Sequence, residues 1–284
     1  MQRNNHIELI ECLQKLDITL IKEFRVNMNY HKIFRKNVFL VLLFSIFFSL
    51  FSFSYVMDFF SHDMIFVPLI VISYMVSYMA LGVSSYAAMN FADLMRIRFR
   101  LFLKLLNPEF LKGRYKNEKV RVKKFKILVE KYQDTFYIIK KISEVYGVSL
   151  LMVHFHDFTM TTSQVYFLYW KSTNGTADAV EFLNIIFWVF PIIWKSVFLP
   201  LYMHLMVNES EACIPLVVNA DDHCLRKDTR SIVGTFSVWN RHNNTRISVA
   251  GFFNSDLALG FSICSGVASY LLILIQFKMQ EDDK

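Results

Sequence analysis

The chain has 284 residues, 54% of them hydrophobic, with 29 phenylalanines and a formal net charge of +7. That apolar share, with a positive mean hydropathy, excludes a single soluble core and points to an integral membrane protein. The charge does not mark a nucleic-acid binder: 7, 15 and 5 of the 31 basic residues fall in Met1–Asn37, Phe91–Glu144 and Asn208–Arg246, between apolar runs, as the positive-inside rule asks of cytosolic segments.

In chain order, the opening stretch reads as a cytosolic amphipathic helix, with Ile7, Ile10, Leu13, Leu16, Leu20 and Ile21 at helical spacing. Lys32, Arg35 and Lys36 lead into a first apolar run, Val38–Phe60, which a tight outer turn at Ser61-His62-Asp63 joins to a second, Met64–Met89. Each is long enough to cross a hydrocarbon layer of roughly 30 Å. The first begins too late and runs too long for a signal peptide, and serves as its own insertion signal. Beyond Asn90 the pattern stays helical and turns basic. Asn107-Pro108 interrupts it, and a second charged helix from Glu118 to Glu144 places Leu128, Tyr132, Phe136, Ile139 and Ile142 on one face. The basic run Arg121–Lys126 reads as a solvated face in preference to a lipid-headgroup or nucleic-acid patch. Two more apolar runs follow, Val145–Trp170 and Phe182–Val207. Asn219–Asn244, rich in Asp, Asn, Ser and Thr, reads as a flexible linker, and Leu257–Phe277 is the fifth run.

The expected fold class is therefore all-α: a polytopic helical membrane protein with five transmembrane helices and long cytosolic helical extensions. Its segments are a cytosolic amphipathic helix at 1–37, a transmembrane hairpin at 38–89, a cytosolic helical anchor region at 90–144, two transmembrane helices with a short outer loop at 145–207, and a cytosolic loop with the final helix at 208–284. Charge puts the N-terminus in the cytosol and the C-terminus outside. The sequon at Asn174 then lies on the outer side, whereas those at Asn208 and Asn243 lie inside and stay unmodified. Cys12, Cys213, Cys224 and Cys264 have no outer pair and no zinc-binding spacing, so neither a disulfide nor a metal is expected. No phosphate loop, nucleophile elbow or triad arrangement is present, which argues against an enzyme, and no cofactor is implied.

Polar residues inside the apolar runs carry most of the remaining information. His154 and His156 point about 200° apart on a helix and cannot share a ligand sphere, although His154 and Asp157 can. Lys195 must pair, snorkel or face water. Asp157 lies at comparable depth in the preceding antiparallel run, so the two form a candidate intramembrane ion pair. Thr162, Gln164 and Tyr166, opposite Trp188 and Trp194, make either a wall for a small organic ligand or an interfacial aromatic belt. In the last run Ser262, Ser269 and Gln276 recur every seven residues with Ser265 between them, which draws a polar stripe down an apolar helix. Such a stripe either lines a water-filled path or seats the helix against neighbours.

The end of that run also carries a likeness. Ser269-Tyr270, five apolar residues and Gln276-Phe277, after the lead-in Ile247-Ser-Val-Ala-Gly251-Phe252-Phe253 and Asp256, resembles the signature of insect gustatory receptors, with Ser269 in place of that family's threonine. The resemblance implies a seven-span chemoreceptor with a cytosolic N-terminus, acting at the plasma membrane as a tetrameric ligand-gated cation channel, homomeric or built with related subunits, and responding to a small-molecule tastant. By likeness Gln276 and Phe277 sit at the pore constriction, with Ser269 and Tyr270 on the pore wall or packing side. The opening resembles the family's cytosolic loop between its second and third helices, so the chain is expected to correspond to the last five spans. Two other readings stand beside this one: a metabotropic heptahelical receptor fragment, with its C-terminus inside, and a secondary transporter, hinted at by Pro191 and Pro200.

Overall fold

Helix dominates the computed structural model, which describes residues 2–28, 30–31, 34–39, 42–43, 46, 66–175, 179–220, 227–243 and 245–282, with side chains for all of these except 2–4, 66–75, 77, 179–188, 191, 227–228 and 281–282. The elements are α1 (Gln2–Phe24), α2 (Phe66–Leu106), α3 (Pro108–Arg114), α4 (Glu118–Thr173), α5 (Ala179–Glu211), α6 (Cys213–Val218), α7 (Lys227–His242), a ribbon of β1 (Ser248–Val249) and β2 (Phe253–Asn254), and α8 (Leu257–Asp282). The chain divides into two compact units: Met1–Val26 with Ala88–Leu151 and Val197–Phe261, and Asn27–Ala87 with Met152–Ser196 and Ser262–Lys284.

The first unit is organised around Tyr132. Its ring is fully buried and lies edge-on or tilted against Phe99, Phe102, Phe136 and Phe236, with centroids 5.4 to 5.9 Å away. Its hydroxyl donates to the Ser210 carbonyl at 3.0 Å, and burial raises its pKa well above the usual tyrosine range. The apolar repeat of α4 continues on both sides of it, with Phe125, Leu128, Ile139 and Ile142 all buried. Between α2 and α3 the chain breaks at Asn107, whose Oδ1 accepts the Glu109 N–H at 3.0 Å, while Pro108 takes the first helical position, where no N–H is needed.

Helix α1 packs into this unit on a face that overlaps the expected one, keeping Leu13, Leu16 and Leu20 but not the isoleucines. Leu9, Leu13, Leu16, Leu20 and Phe24 are buried, whereas Ile7, Ile10 and Ile21 are exposed. Asp17 lies in the buried seam, and Arg98 of α2 donates to both of its oxygens, Nε at 2.9 Å and Nη2 at 2.6 Å. Lys124 to Glu23 at 2.7 Å and Lys141 to Glu8 at 3.2 Å reinforce the contact at the rim.

Asn219–Asn244 is not a linker throughout. Lys227–His242 is helix α7, and its anchors are Phe236, fully buried, and Trp239, whose ring lies 4.5 Å from that of Phe136. Polar composition concealed an amphipathic element that two aromatics hold down. The ribbon that follows is a small departure from an all-helical chain. Val249 pairs with Phe253 and Ser248 with Asn254, and Ala250 and Gly251 turn at φ 51° and 81°, the left-handed region that glycine tolerates best.

In the second unit, Tyr86 donates to the Asn37 carbonyl at 3.1 Å. The turn at 61–63 and most of 38–60 lie outside the described residues. Among the described residues one helical stretch, Leu257–Gln280, is apolar and long enough to cross a membrane by length and composition, and none of its apolar window is buried by the chain itself. Helices α2, α4 and α5 run through the second, third and fourth expected spans.

Candidate functional site

Helix α8 forms because Leu257–Phe277 offers an uncharged run of helix-compatible residues, opened by Asp256, whose Oδ1 accepts the Leu259 N–H at 3.1 Å and caps the first turn. Its polar stripe is outward-facing: Ser262, Ser265, Ser269 and Gln276 are all exposed, as are Tyr270 and Phe277, the latter at 66%. Ser269 turns its hydroxyl onto the Ser265 carbonyl at 2.9 Å. Tyr270 meets Phe158 of α4 edge-on, with centroids 5.6 Å apart, and the small Gly266 one turn earlier admits the same ring: a Cβ there would lie 3.1 Å from Phe158 Cε2.

Within the second unit, α4 and α5 bring two buried charges together. Lys195 Nζ lies 2.7 Å from Asp157 Oδ1, with Asp157 1% and Lys195 8% exposed. The other carboxylate oxygen accepts from Ser196 Oγ at 3.1 Å, and His156 Nδ1 stands 3.4 Å from Oδ1. Lys195 also sits over the Tyr78 ring, 5.6 Å from its centroid, and that ring lies 6.0 Å from His156. A carboxylate held by an ammonium, a hydroxyl and an imidazole is well satisfied, and a buried lysine between a carboxylate and an aromatic face is equally so. His154, on the same helix, is also buried, and His156 is the imidazole at hydrogen-bond range of Asp157. Sequence reasoning missed Ser196 and Tyr78. Ser196 adjoins Lys195, a signal that could have been read; Tyr78 comes from α2, and only the fold supplies it.

The candidate ligand residues are less concentrated. Thr162 is buried and donates to the Phe158 carbonyl of its own helix at 2.8 Å. Gln164 and Tyr166 are half-buried on α4, and Trp194 is 52% exposed beside Phe190, centroids 6.0 Å apart. The side chain of Trp188 lies outside the described residues. Thr162 and Trp194 thus differ in exposure. Asn174 is exposed in the turn after α4, where Gly175 takes a φ of 64°. Among the described residues no group of His, Cys, Asp and Glu is arranged to hold a metal ion.

Three comparisons give this geometry its context. A family model described as 7tm Chemosensory receptor matches residues 1–281. A Drosophila melanogaster protein designated gustatory receptor 57a is 29% identical over 97% of this chain and 68% of its own length, and one designated gustatory receptor 47b is 22% identical over 99% and 68%. The solved structure of the insect olfactory receptor OR5 from Machilis hrabei superposes with a TM-score of 0.62 at 13% identity, covering 93% of this chain and 70% of that one. The same receptor in complex with eugenol gives a TM-score of 0.59. At such identities the likeness to the olfactory receptor is one of fold.

Proposed function

The chain belongs to the 7tm chemosensory receptor family, a family of membrane-embedded receptors and not of enzymes, and on that premise we propose that it is a subunit of a cation channel opened by a small-molecule tastant. In this reading it spans the plasma membrane five times, with a cytosolic N-terminus and an extracellular C-terminus, and assembles with copies of itself or related subunits into a tetramer whose central path α8 lines. Gln276 and Phe277 form the constriction, and Ser269 and Tyr270 lie on the wall below it or on its packing side. Thr162, Gln164, Tyr166, Trp188 and Trp194 contribute to the tastant site, the Asp157–Lys195 pair holds α4 and α5 in register, and Asn174 accepts a glycan. A tastant opens such a channel only to the extent that it binds the open state more tightly than the closed one.

The observation that carries this reading is α8 itself. A membrane-length apolar helix that its own chain does not bury, with a stripe of three serines and a glutamine along it, needs lipid, water and neighbouring helices around it. The test begins with an epitope tag after Lys284, stained on living, unpermeabilised cells, followed by ligand-evoked currents. Surface staining and currents altered by Gln276→Ala in conductance or ion selectivity are expected. A tag reached only after permeabilisation, on protein that surface biotinylation detects, overturns the orientation and favours a metabotropic receptor. Unchanged currents in Gln276→Ala mean that the residue packs and does not line the path.

A further inference from the structure

Glycine is a poor residue for the interior of a long helix, because it gives up the most backbone freedom on ordering and packs nothing in return. Gly147 nevertheless sits buried within α4. A Cβ on it would lie 2.9 Å from the backbone nitrogen of Ala250, 3.3 Å from the Ser248 carbonyl oxygen and 3.4 Å from the Ala250 Cα. All three are main-chain atoms, so no flexible side chain can swing out of the way. One helical turn earlier, Ser143 Oγ accepts the Ser248 N–H at 3.1 Å while donating to the Ile139 carbonyl at 3.2 Å. The ribbon therefore touches α4 backbone-first at two successive positions of one face.

The ribbon is itself stiff and leads directly into α8. Ile247 and Val249 are fully buried, and the Ser255 N–H donates to the Ile247 carbonyl at 2.9 Å. The left-handed turn at Ala250 and Gly251 is closed by the Gly251 N–H donating to Ser248 Oγ at 3.1 Å. Asp256 follows at once and caps α8 through the Leu259 N–H. From Ser143 and Gly147 to the first turn of α8 the chain offers a short series of main-chain links with little slack.

We propose that Gly147 and Ser143 are positioning residues: they lock the base of α8 in axial register with α4 through the 247–256 ribbon, and this lock sets the balance between the closed and open arrangements of that helix. Only the second half rests on the reading of α8 as the pore helix. Packing at Gly147 decides how closely the ribbon approaches, and the Ser143 hydrogen bond decides where along α4 it stops. A hydrogen bond made to a helix side chain, and not to a free carbonyl of α4, can be removed without disturbing the helix ladder, which makes Ser143 the gentler of the two perturbations.

The test uses the full receptor with Val249→Cys in a background carrying Cys12→Ser, Cys224→Ser and Cys264→Ser, and follows the labelling rate by a membrane-permeant maleimide. Val249 is fully buried, so its labelling reports lifting of the ribbon without relying on channel activity. Ser143→Ala is expected to raise the rate about fivefold, the factor that an ordinary net hydrogen bond contributes, and Gly147→Ala by at least about as much, because an added methyl has no room. In the receptor with its native cysteines and Val249, both substitutions are expected to change the ligand-free conductance, which reads the closed–open balance directly, at least about threefold, with surface levels of Ser143→Ala near those of the parent. Should Gly147→Ala fail to reach the surface, Ser143→Ala alone decides. Unchanged labelling overturns the lock. Raised labelling with unchanged ligand-free conductance keeps the lock and overturns its coupling to α8, and a parent receptor at the surface that passes no current defeats the channel reading while labelling still decides the lock.

Discussion

Breaking the Asp157–Lys195 pair from one side is expected to be far more damaging than removing both charges. At 2.7 Å, Coulomb's law with an effective dielectric of about 20 gives an attraction of about 6 kcal/mol. Desolvating two ions cancels most of that, so the net contribution of the intact pair is small. Lys195→Met leaves a carboxylate 1% exposed that has lost its ammonium and keeps Ser196 and His156 among the described residues, and Asp157→Leu leaves the ammonium over the Tyr78 ring. Each single change is expected to cost about 3–5 kcal/mol, because a buried charge is left uncompensated, whereas the Asp157→Leu, Lys195→Met double variant returns to within about 2 kcal/mol of the parent. The assay is a double-mutant cycle read as the thermal aggregation midpoint of detergent-solubilised receptor, with surface abundance as a second readout. Single variants that match the parent, or a double variant no better than the worse single, would refute the reasoning. The charge reversal Asp157→Lys with Lys195→Asp is a harder trial, because Ser196 and His156 are arranged for a carboxylate on α4 and not on α5.

Docking of α1 is expected to weaken in acid. Glu8 has a pKa below its ordinary value, first through the hydrogen bond from Tyr137 and then through that from Lys141, and Glu23 is lowered by Lys124. Both carboxylates bind protons less readily in the folded chain, so their contribution is complete above the unfolded value of 4.5 and is lost as pH falls through the depressed folded value. Protection of the α1 amides, relative to the intrinsic exchange rate at each pH, should therefore fall below that range, and Glu8→Gln together with Glu23→Gln should flatten the acid dependence; an unchanged protection profile in the double variant would count against this account. Cys213 is buried, donates to the Phe99 and Glu209 carbonyls, and has a pKa pushed up to about 12, first by burial and then by the negative charge of Glu209. It should resist maleimide at pH 8 in the folded receptor and react once the chain is denatured, and rapid native labelling would show that α6 opens.

What the sequence made legible depended on whether one physical term decided the outcome. The inward face of α4 was readable at Leu128, Tyr132, Phe136, Ile139 and Ile142, because a single apolar stripe at helical spacing has one way to bury itself. In α1 two stripes compete, the isoleucines at 7, 10, 18 and 21 and the set Leu9, Leu13, Leu16, Leu20 and Phe24. Hydrophobicity alone does not choose between them. The choice is tied to Asp17, which lies in the buried seam only because Arg98, 81 positions away, meets it there. Helix α7 was hidden for a related reason: Thr, Ser and Asn are weak helix formers, and what secures the segment is tertiary contact of Phe236 and Trp239 with Tyr132 and Phe136. Family membership was readable at the end of α8 because the resemblance rests on a short spacing of named residues and not on overall identity, which to gustatory receptor 57a is 29%.

The polar stripe of α8 does not carry equal weight along its length. A serine in an apolar helix can satisfy its hydroxyl on the carbonyl four residues back, as Ser269 does on Ser265 at 2.9 Å, so a row of serines is compatible with lipid, with close helix packing and with water alike. Glutamine has no such complete refuge. Its amide offers two donors and an acceptor with two lone pairs, and a bond to one carbonyl of the preceding turn satisfies only one of these. Left in hydrocarbon it would cost several kcal/mol, so it needs water or a polar neighbour supplied from outside its own helix. Gln276 is therefore the residue of α8 whose surroundings distinguish a water-filled path from a packed seam.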